Sequence, residues 1–120
     1  MTDTVRLVGL RGRGRHGVLA HETALGQEFV VDVTLHLDTR AAAAGDDLEA
    51  TVDYGDLAVR VMAVVTGEPV RLIETLAQRI ADVCLRHVRV EDVEVTVHKP
   101  HAPIQATFDD VALTIRRSRQ

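Results

Sequence analysis

The sequence predicts an α+β fold, with a four-stranded, mainly antiparallel sheet and two helices on one of its faces. Two patterns lead to this prediction. Apolar residues alternate with polar ones near both ends of the chain, as in half-buried strands, and they recur at helical spacing in the middle. The expected order is strand, strand, helix, helix, strand, strand. Because two helices cover only one face of such a sheet, we expect other copies of the chain to protect the second face and the edges.

The first two strands are expected to form a long hairpin. Every second residue from Phe29 to Leu37 is apolar, which makes this the clearest strand of the chain. A partner strand is predicted from Thr4 to Leu10, continuing toward Val18 and Leu19, and a loop through Glu22 joins the two.

Two helices and two further strands follow a polar, alanine-rich crossing at residues 38–51. The first helix follows Tyr54 and stops at the Gly-Glu-Pro sequence of residues 67–69, and the second helix follows that proline. The apolar stripe of the second helix consists of Leu72, Leu76, Ile80 and Val83. The apolar faces of the last two strands are Val93, Val95 and Val97, then Val111, Leu113 and Ile115.

The composition predicts one ordinary domain, residues 1–120. Apolar residues make up 46% of the chain, which suffices for a core without disulfides or metal ions. The single cysteine, Cys84, falls in a helical apolar pattern, so we expect a small core residue and a reducing, cytoplasmic compartment. We find no signal-like leader and no apolar run near the ~20 residues that span a bilayer. A net charge of −4, with one tyrosine, two phenylalanines and no tryptophan, argues against nucleic-acid binding.

Two other ligand classes are also considered and set aside. Residues 12–17 satisfy the letter of the dinucleotide motif G-x-G-x-x-G, but no helix is predicted to begin at the last glycine. Six histidines suggest zinc, yet their spacing matches no zinc motif, and Pro100 constrains the nearest pair, His98 and His101. We therefore expect no metal and no cofactor.

Lys99 lies between the third strand and a loop that contains Pro100 and Pro103. Proline restricts its own φ and favours an extended preceding residue, so Lys99 is expected to be held at the end of the strand. A lysine fixed in this way can serve as an acid or a base. A solvated lysine before a rigid turn has the same sequence pattern, so the residues around Lys99 leave both interpretations open.

Four other residues are candidates for the site, and the sequence around them also allows a purely structural role. Glu74 is expected in the first turn of the second helix, where a carboxylate either complements the helix dipole or accepts two parallel N–H donors, such as those of a 2-amino-4-oxo heterocycle. The backbone of Ile73 could contact the same edge. Tyr54 offers either a packed ring or a phenol that exchanges protons with a substrate. Glu22 by itself is more typical of a solvated surface charge than of a ligand.

Several short segments together resemble the dihydroneopterin aldolases of folate biosynthesis, over essentially the whole chain. They are His16-Gly17-Val18 with Glu22, Gly26-Gln27-Glu28-Phe29, Asp53-Tyr54, Leu72-Ile73-Glu74-Thr75, His98-Lys99-Pro100 and Ala102-Pro103-Ile104. The ending from Thr107 to Arg119 is most similar to actinobacterial members. The resemblance implies that family's tunnelling fold, in which subunits continue each other's sheets into a barrel. It also suggests a homo-octamer of two tetrameric rings, with pterin sites between subunits.

The resemblance implies roles for individual residues as well. Lys99 would be the general acid/base, and Tyr54 would assist proton transfer. The substrate-binding residues would be Glu22, Val52, Tyr54, Ile73 and Glu74. At position 73 the family commonly has leucine, and isoleucine leaves a backbone contact intact. The implied activity is retro-aldol cleavage of 7,8-dihydroneopterin without a metal or a lysine Schiff base.

Three alternatives stay open at the level of the sequence. An epimerase acting on dihydroneopterin or its triphosphate would use the same base and the same enamine. A noncatalytic pterin-binding protein could share the fold, and so could a zinc-dependent relative. Analysis of products and of bound metal would separate these activities.

Overall fold

The computed structural model describes residues 3–119 and contains one four-stranded antiparallel sheet with helices packed on one face. In chain order the elements are β1 (Asp3–Gly14), α1 (Ala20–Leu25), β2 (Gln27–Leu37), α2 (Arg40–Gly45), a 3₁₀ turn (Leu48–Ala50), α3 (Tyr54–Val65), α4 (Ile73–Leu85), β3 (Asp92–His98) and β4 (Ala112–Ser118). The strands lie in the order β1-β2-β3-β4 across the sheet. The predicted α+β class and the order of its main elements are confirmed.

The core lies between the sheet and the helices α3 and α4. Every second residue of β2 from Phe29 to Leu37 is fully buried, and the residues between them are half-buried on the opposite face. Each long helix adds one buried stripe, as helical spacing predicts. Its members are Leu57, Val61 and Val65 on α3, and Leu76, Ala77, Ile80, Ala81 and Cys84 on α4. Cys84 is thus a core residue, as predicted, and burial raises the pKa of its thiol to about 12.

β1 continues beyond Leu10, in the direction predicted, because a glycine bulge lets the pairing resume, and it ends at Gly14. Its register against β2 shifts between Leu7 and Leu10, where Gly9 adopts a φ of +74°. A residue with a side chain rarely takes this conformation, whereas glycine does so without steric cost. Beyond the bulge the pairing resumes and runs on to Gly14.

The segment between β1 and β2 corrects two predictions. The strand does not continue to Val18 and Leu19, and the expected loop through Glu22 is the short helix α1. The Glu22 side chain accepts the backbone N–H of Leu19 at 3.2 Å, which satisfies a donor that a helix start leaves free. Gly26 ends the helix with a φ of +73°. Six residues are too few to show a helical apolar period, so the sequence pattern did not indicate this helix.

Two smaller differences concern the other helices. The crossing at residues 38–51 contains α2 and the 3₁₀ turn. Leu72 was expected on the apolar stripe of the second helix, but it precedes α4 and is exposed. Among the helices of residues 3–119, none is long and apolar enough to cross a membrane.

Candidate active site

Glu22 and Lys99, two of the residues predicted for the site, lie together. Lys99 directly follows β3, and its Nζ is 2.6 Å from Oε2 of Glu22. The Glu22 side chain is 2% exposed and that of Lys99 is 13% exposed. Neither is therefore the solvated surface charge that its local sequence allowed. The two side chains therefore form an ion pair that is largely shielded from bulk water.

Glu22 has two further hydrogen-bond donors. Gln27 Nε2 donates to Oε2 of Glu22 at 2.9 Å, and the Leu19 N–H donates to Oε1. Burial by itself would raise the pKa of the Glu22 carboxyl, but the hydrogen bonds from Lys99, Gln27 and Leu19 outweigh burial and lower that pKa. Glu22 is therefore held as a carboxylate.

Gln27 is a site residue that the sequence reasoning missed. It lies two positions before Phe29 on β2, and alternate residues of a strand share a face. That spacing was the available signal, because it places Gln27 on the helix-covered side of the sheet, together with Phe29. Gln27 Oε1 is buried and has no hydrogen-bond partner among the described residues.

The backbone on both sides of the Lys99 side chain is also fixed. The N–H of Lys99 donates to the carbonyl of Val111 at 2.8 Å, and the carbonyl of Lys99 accepts the N–H of Ala102 at 3.1 Å. The first bond holds the two ends of the loop at residues 99–111 together, and the second closes a turn at the start of the loop. The end of the loop that was predicted to restrain Lys99 therefore contacts Lys99 directly.

His16 connects this region to the ends of both long helices. Its Nε2–H donates to the carbonyl of Val65 at 2.7 Å, and its Nδ1 accepts the N–H of Val70 at 3.0 Å. The ring is 1% exposed and lies edge-on to Phe29, with 5.3 Å between centroids. Desolvation lowers the pKa of His16, which favours this neutral, doubly hydrogen-bonded form. His16 therefore holds the backbone that leads into α1 against the end of α3 and the approach to α4.

The first two residues of α4, Ile73 and Glu74, lie on the side of the molecule that carries Glu22. Val70, three residues before Ile73, accepts the N–H of Gly17 at 2.9 Å, so the start of α4 is tied to the segment that leads to Glu22. Glu74 is exposed, whereas Ile73 is half-buried against the core. A surface groove of about 460 Å³ lies here, and its lining includes Val18, Leu72 and Thr75.

Two other residues predicted for the site, Tyr54 and Val52, do not lie beside Glu22 and Lys99. Tyr54 is the first residue of α3 and is 60% exposed, whereas Val65, beside His16, is the last. At 1.5 Å per residue, the two ends of α3 are about 16 Å apart, so one copy of the chain does not bring Tyr54 to Lys99. The side chain of Val52 is 3% exposed and belongs to the core, which leaves only its backbone for a ligand.

Metal ligation was also considered for this region. Within residues 3–119, no group of three or more His, Cys, Asp or Glu side chains is arranged to hold a metal ion. His98, one of the histidines in the zinc alternative, is engaged with carboxylates on both ring nitrogens.

Residues 5–116, most of the chain, match the model of the FolB family, described as dihydroneopterin aldolase. The chain belongs to the dihydroneopterin aldolase family. A dihydroneopterin aldolase of Streptomyces coelicolor is 62% identical over 117 residues, which cover 98% of each chain. The family resemblance inferred from the sequence is therefore confirmed.

Two solved dihydroneopterin aldolases have the same fold. The Escherichia coli enzyme in complex with neopterin superposes with a TM-score of 0.88 at 29% identity, covering 97% of this chain and 99% of that one. A Burkholderia dihydroneopterin aldolase bound to guanine gives a TM-score of 0.78 at 25% identity, covering 99% and 93% respectively. The α+β sheet described above is thus the architecture of dihydroneopterin aldolases.

Proposed function

We propose that this chain is a dihydroneopterin aldolase that cleaves 7,8-dihydroneopterin into 6-hydroxymethyl-7,8-dihydropterin and glycolaldehyde, a step of folate biosynthesis. The observation that carries the proposal is the buried pair of Glu22 and Lys99, 2.6 Å apart, in a chain of this family. A cytoplasmic location is part of the proposal, and the free thiol of Cys84 suits such a reducing compartment.

The reaction needs a base and a place for two electrons. The base removes the proton of the side-chain hydroxyl, which becomes the carbonyl of glycolaldehyde as the adjacent carbon–carbon bond breaks. The electrons of that bond move into the carbon–nitrogen double bond of the dihydropterin ring and form an enamine. Protonation of the enamine carbon then gives the hydroxymethyl product. Because the ring itself is the electron sink, the reaction requires neither a metal nor a Schiff base.

Lys99 acts as the acid/base in this scheme, directly or through water. Backbone hydrogen bonds fix its main chain, and its amino group is paired with Glu22, so the amino group has one defined position. Such a fixed proton donor and acceptor contributes about 10²–10⁴ to the rate of proton transfer. In this scheme Glu22 has two roles. It positions the amino group of Lys99, and it contacts the substrate side chain.

Glu74 and the backbone of Ile73 bind the pterin ring at the start of α4. The carboxylate of Glu74 is free in solvent, at a helix start, and can accept two parallel N–H donors. The guanine held by the Burkholderia relative presents an amide N–H beside an amino group, which is also the edge that a pterin presents. The same edge recognition in this chain would orient the substrate side chain toward Lys99.

Tyr54 reaches the site from a neighbouring copy, in an octamer of two tetrameric rings. Three observations support assembly. Within one chain Tyr54 lies about 16 Å along α3 from the Lys99 region. The Cα radius of gyration is 15.6 Å, against about 13.6 Å for a compact chain of this length. Large apolar residues around the site are exposed, and they are Val18, Leu19, Leu25, Leu72 and Ile104. The backbone of Val52, two residues before Tyr54, would enter the site with it.

The same residues can support epimerisation as a side reaction. If glycolaldehyde rotates within the site before it leaves, the enamine can attack the other face of its carbonyl. The new bond then has the opposite configuration, and the base and the enamine are those of the cleavage reaction. Chromatography of the products separates the two outcomes.

The proposal is tested by incubating the purified protein with 7,8-dihydroneopterin, with and without a chelator, beside the variant Lys99→Ala. We expect 6-hydroxymethyl-7,8-dihydropterin and glycolaldehyde in equal amounts from the wild type, unaffected by the chelator. The variant should turn over about 10²–10⁴-fold more slowly while still binding pterin. Pterin binding without either product would contradict the aldolase activity, and a fully active variant would contradict the role of Lys99.

A further inference from the structure

A second ionic cluster lies directly behind Lys99, on the opposite face of the sheet. His98, the last residue of β3, precedes Lys99, and successive strand residues point to opposite faces. His98 Nε2 is 2.7 Å from Oδ2 of Asp32, and His98 Nδ1 is 2.6 Å from Oδ2 of Asp110. Both partners are carboxylates, so both ring nitrogens must donate, which only the imidazolium form can do.

We propose that the His98 imidazolium is a positioning residue for Lys99. By bridging Asp32 and Asp110, His98 clamps the loop at residues 99–111 to the sheet. The inference rests on the acid/base role proposed above for Lys99. His98 makes these contacts on the face away from Glu22, so it acts through the backbone of Lys99.

The contacts of Asp32 and Asp110 explain how the bridge affects the position of Lys99. Asp110 directly precedes Val111, whose carbonyl accepts the N–H of Lys99 at 2.8 Å. The side-chain bond from His98 to Asp110 and this backbone bond therefore join the same two points of the chain, where the loop leaves β3 and where it returns. Asp32 lies on the central strand β2, and its Oδ1 accepts the N–H of Gly9 in the β1 bulge at 2.8 Å. The clamp thus connects the loop to a strand that is itself fixed on both sides.

The charges around His98 favour its protonated form. Hydrogen bonds to Asp110 and then Asp32 raise the pKa of His98, more than its partial burial lowers it. The residues opposite His98 on β2 and β4, Val30 and Ala112, carry no charge. Burial raises the pKa of Asp32, but the hydrogen bonds from His98 and Gly9, with the nearby charges of His98 and Arg6, lower it by more.

Because the pKa of His98 is raised, the bridge is complete at low pH and loses one of its two donors as pH rises through that pKa. The remaining groups of this face near His98, Thr96 and Thr114, are bonded to each other and do not titrate in this range. We therefore expect the geometry of Lys99 to depend on pH through His98.

The test compares His98→Gln with Thr96→Val, a control on the same strand and face that leaves the bridge intact. For His98→Gln we expect kcat to fall by about tenfold or more with KM for 7,8-dihydroneopterin within about threefold, because His98 touches no substrate. Thr96→Val should keep kcat within about twofold of the wild type. Hydrogen exchange at the Lys99 amide should accelerate by about tenfold or more in His98→Gln and stay unchanged in the control.

A second variant, Asp110→Asn, tests the charge of the bridge and decides the question if His98→Gln does not fold. Because the bridge is lost as pH rises, kcat of the wild type should fall on the alkaline side. Removing one carboxylate lowers the pKa of His98, so in Asp110→Asn this fall should occur at lower pH. Superimposable pH profiles for the wild type and Asp110→Asn, or unchanged kcat and amide exchange in His98→Gln, would overturn the proposal.

Lys99→Ala, measured beside these variants, separates the two proposals. If Lys99→Ala is inactive and His98→Gln is normal, the clamp is wrong and the role of Lys99 stands. If Lys99→Ala is fully active, the acid/base role is wrong, and amide exchange at Lys99 still decides whether His98 holds the loop.

Discussion

Gly17 packs directly against the carboxyl group of Glu22. A Cβ atom at Gly17 would lie 2.4 Å from Cδ of Glu22, and Gly17 has a φ of +151°. Real Cβ atoms do not approach another atom so closely, and a side chain disfavours this φ. Gly17 therefore leaves the space that the carboxylate occupies beside Lys99.

We predict that Gly17→Ala displaces Glu22 and lowers both activity and stability. The free energy of unfolding should fall by about 1–3 kcal/mol, and kcat should fall further than stability alone explains, because Lys99 loses its partner. Urea unfolding and steady-state kinetics measure the two effects. Gly45→Ala is the matched control, since a Cβ at Gly45 meets only Asp47 Cβ, at 3.8 Å. Equal behaviour of the two variants would contradict the prediction.

Glu22→Gln should reduce stability in a pH-dependent way. The lowered pKa of Glu22 means that its contribution to stability is full above its ordinary value of 4.5 and is lost as pH falls through the lowered value. At neutral pH the variant should be about 1–3 kcal/mol less stable, because Lys99 and Gln27 lose a charged acceptor.

The difference between wild type and Glu22→Gln should therefore shrink as pH is lowered from about 5 to about 2. Urea unfolding at several pH values measures this difference. A gap that stays constant through the acid range would show that the carboxylate of Glu22 is not stabilised in the folded state.

Glu74→Ala should weaken pterin binding strongly and spare the fold. Losing the carboxylate leaves two ligand donors without acceptors, so we expect the Kd for neopterin to rise about 10–100-fold. Glu74 is exposed and its carboxylate contributes only a weak helix-dipole interaction, so the melting temperature should change little. Glu68→Ala, which removes an exposed carboxylate outside α4, provides the control. Isothermal titration with unchanged Kd for Glu74→Ala would rule out this role.

Mixed assemblies should recover activity if Tyr54 and Lys99 of one site come from different copies. Tyr54→Ala and Lys99→Ala, each nearly inactive alone, should be dissociated together and reassembled. Random mixing of equal amounts then gives intact pairs at about one quarter of the interface sites, and about one quarter of wild-type activity. Activity that stays at the level of the single variants would place both residues of a site in one chain.

Periodicity predicted the core of the fold well. The alternation from Phe29 to Leu37 indicated a strand with one buried face, and every residue predicted to point inward is fully buried. The helical spacing after Tyr54 and after Pro69 indicated α3 and α4 in the same way. Local repeats succeed here because burial of one face imposes the same period along the whole element.

Local sequence predicted an element less well where the element is short or depends on one residue. The helix α1 around Glu22 has too few residues to show a period, and its first turn is stabilised by a single side chain. The extension of β1 beyond Leu10 depends on Gly9 in a bulge, and a glycine in a strand pattern also marks a turn. Neither feature has a repeated signal that could be counted.

The sequence by itself determined the fold class, the buried face of each long element and the proline-flanked position of Lys99, because each depends on residues close together in the chain. Only the tertiary structure decided that Glu22 meets Lys99, that His98 bridges Asp32 and Asp110, and that the helix start with Tyr54 lies away from Lys99. These relationships depend on strand register and helix packing between distant segments. One register among several possible ones creates such a contact, and no local pattern in either segment specifies the partner.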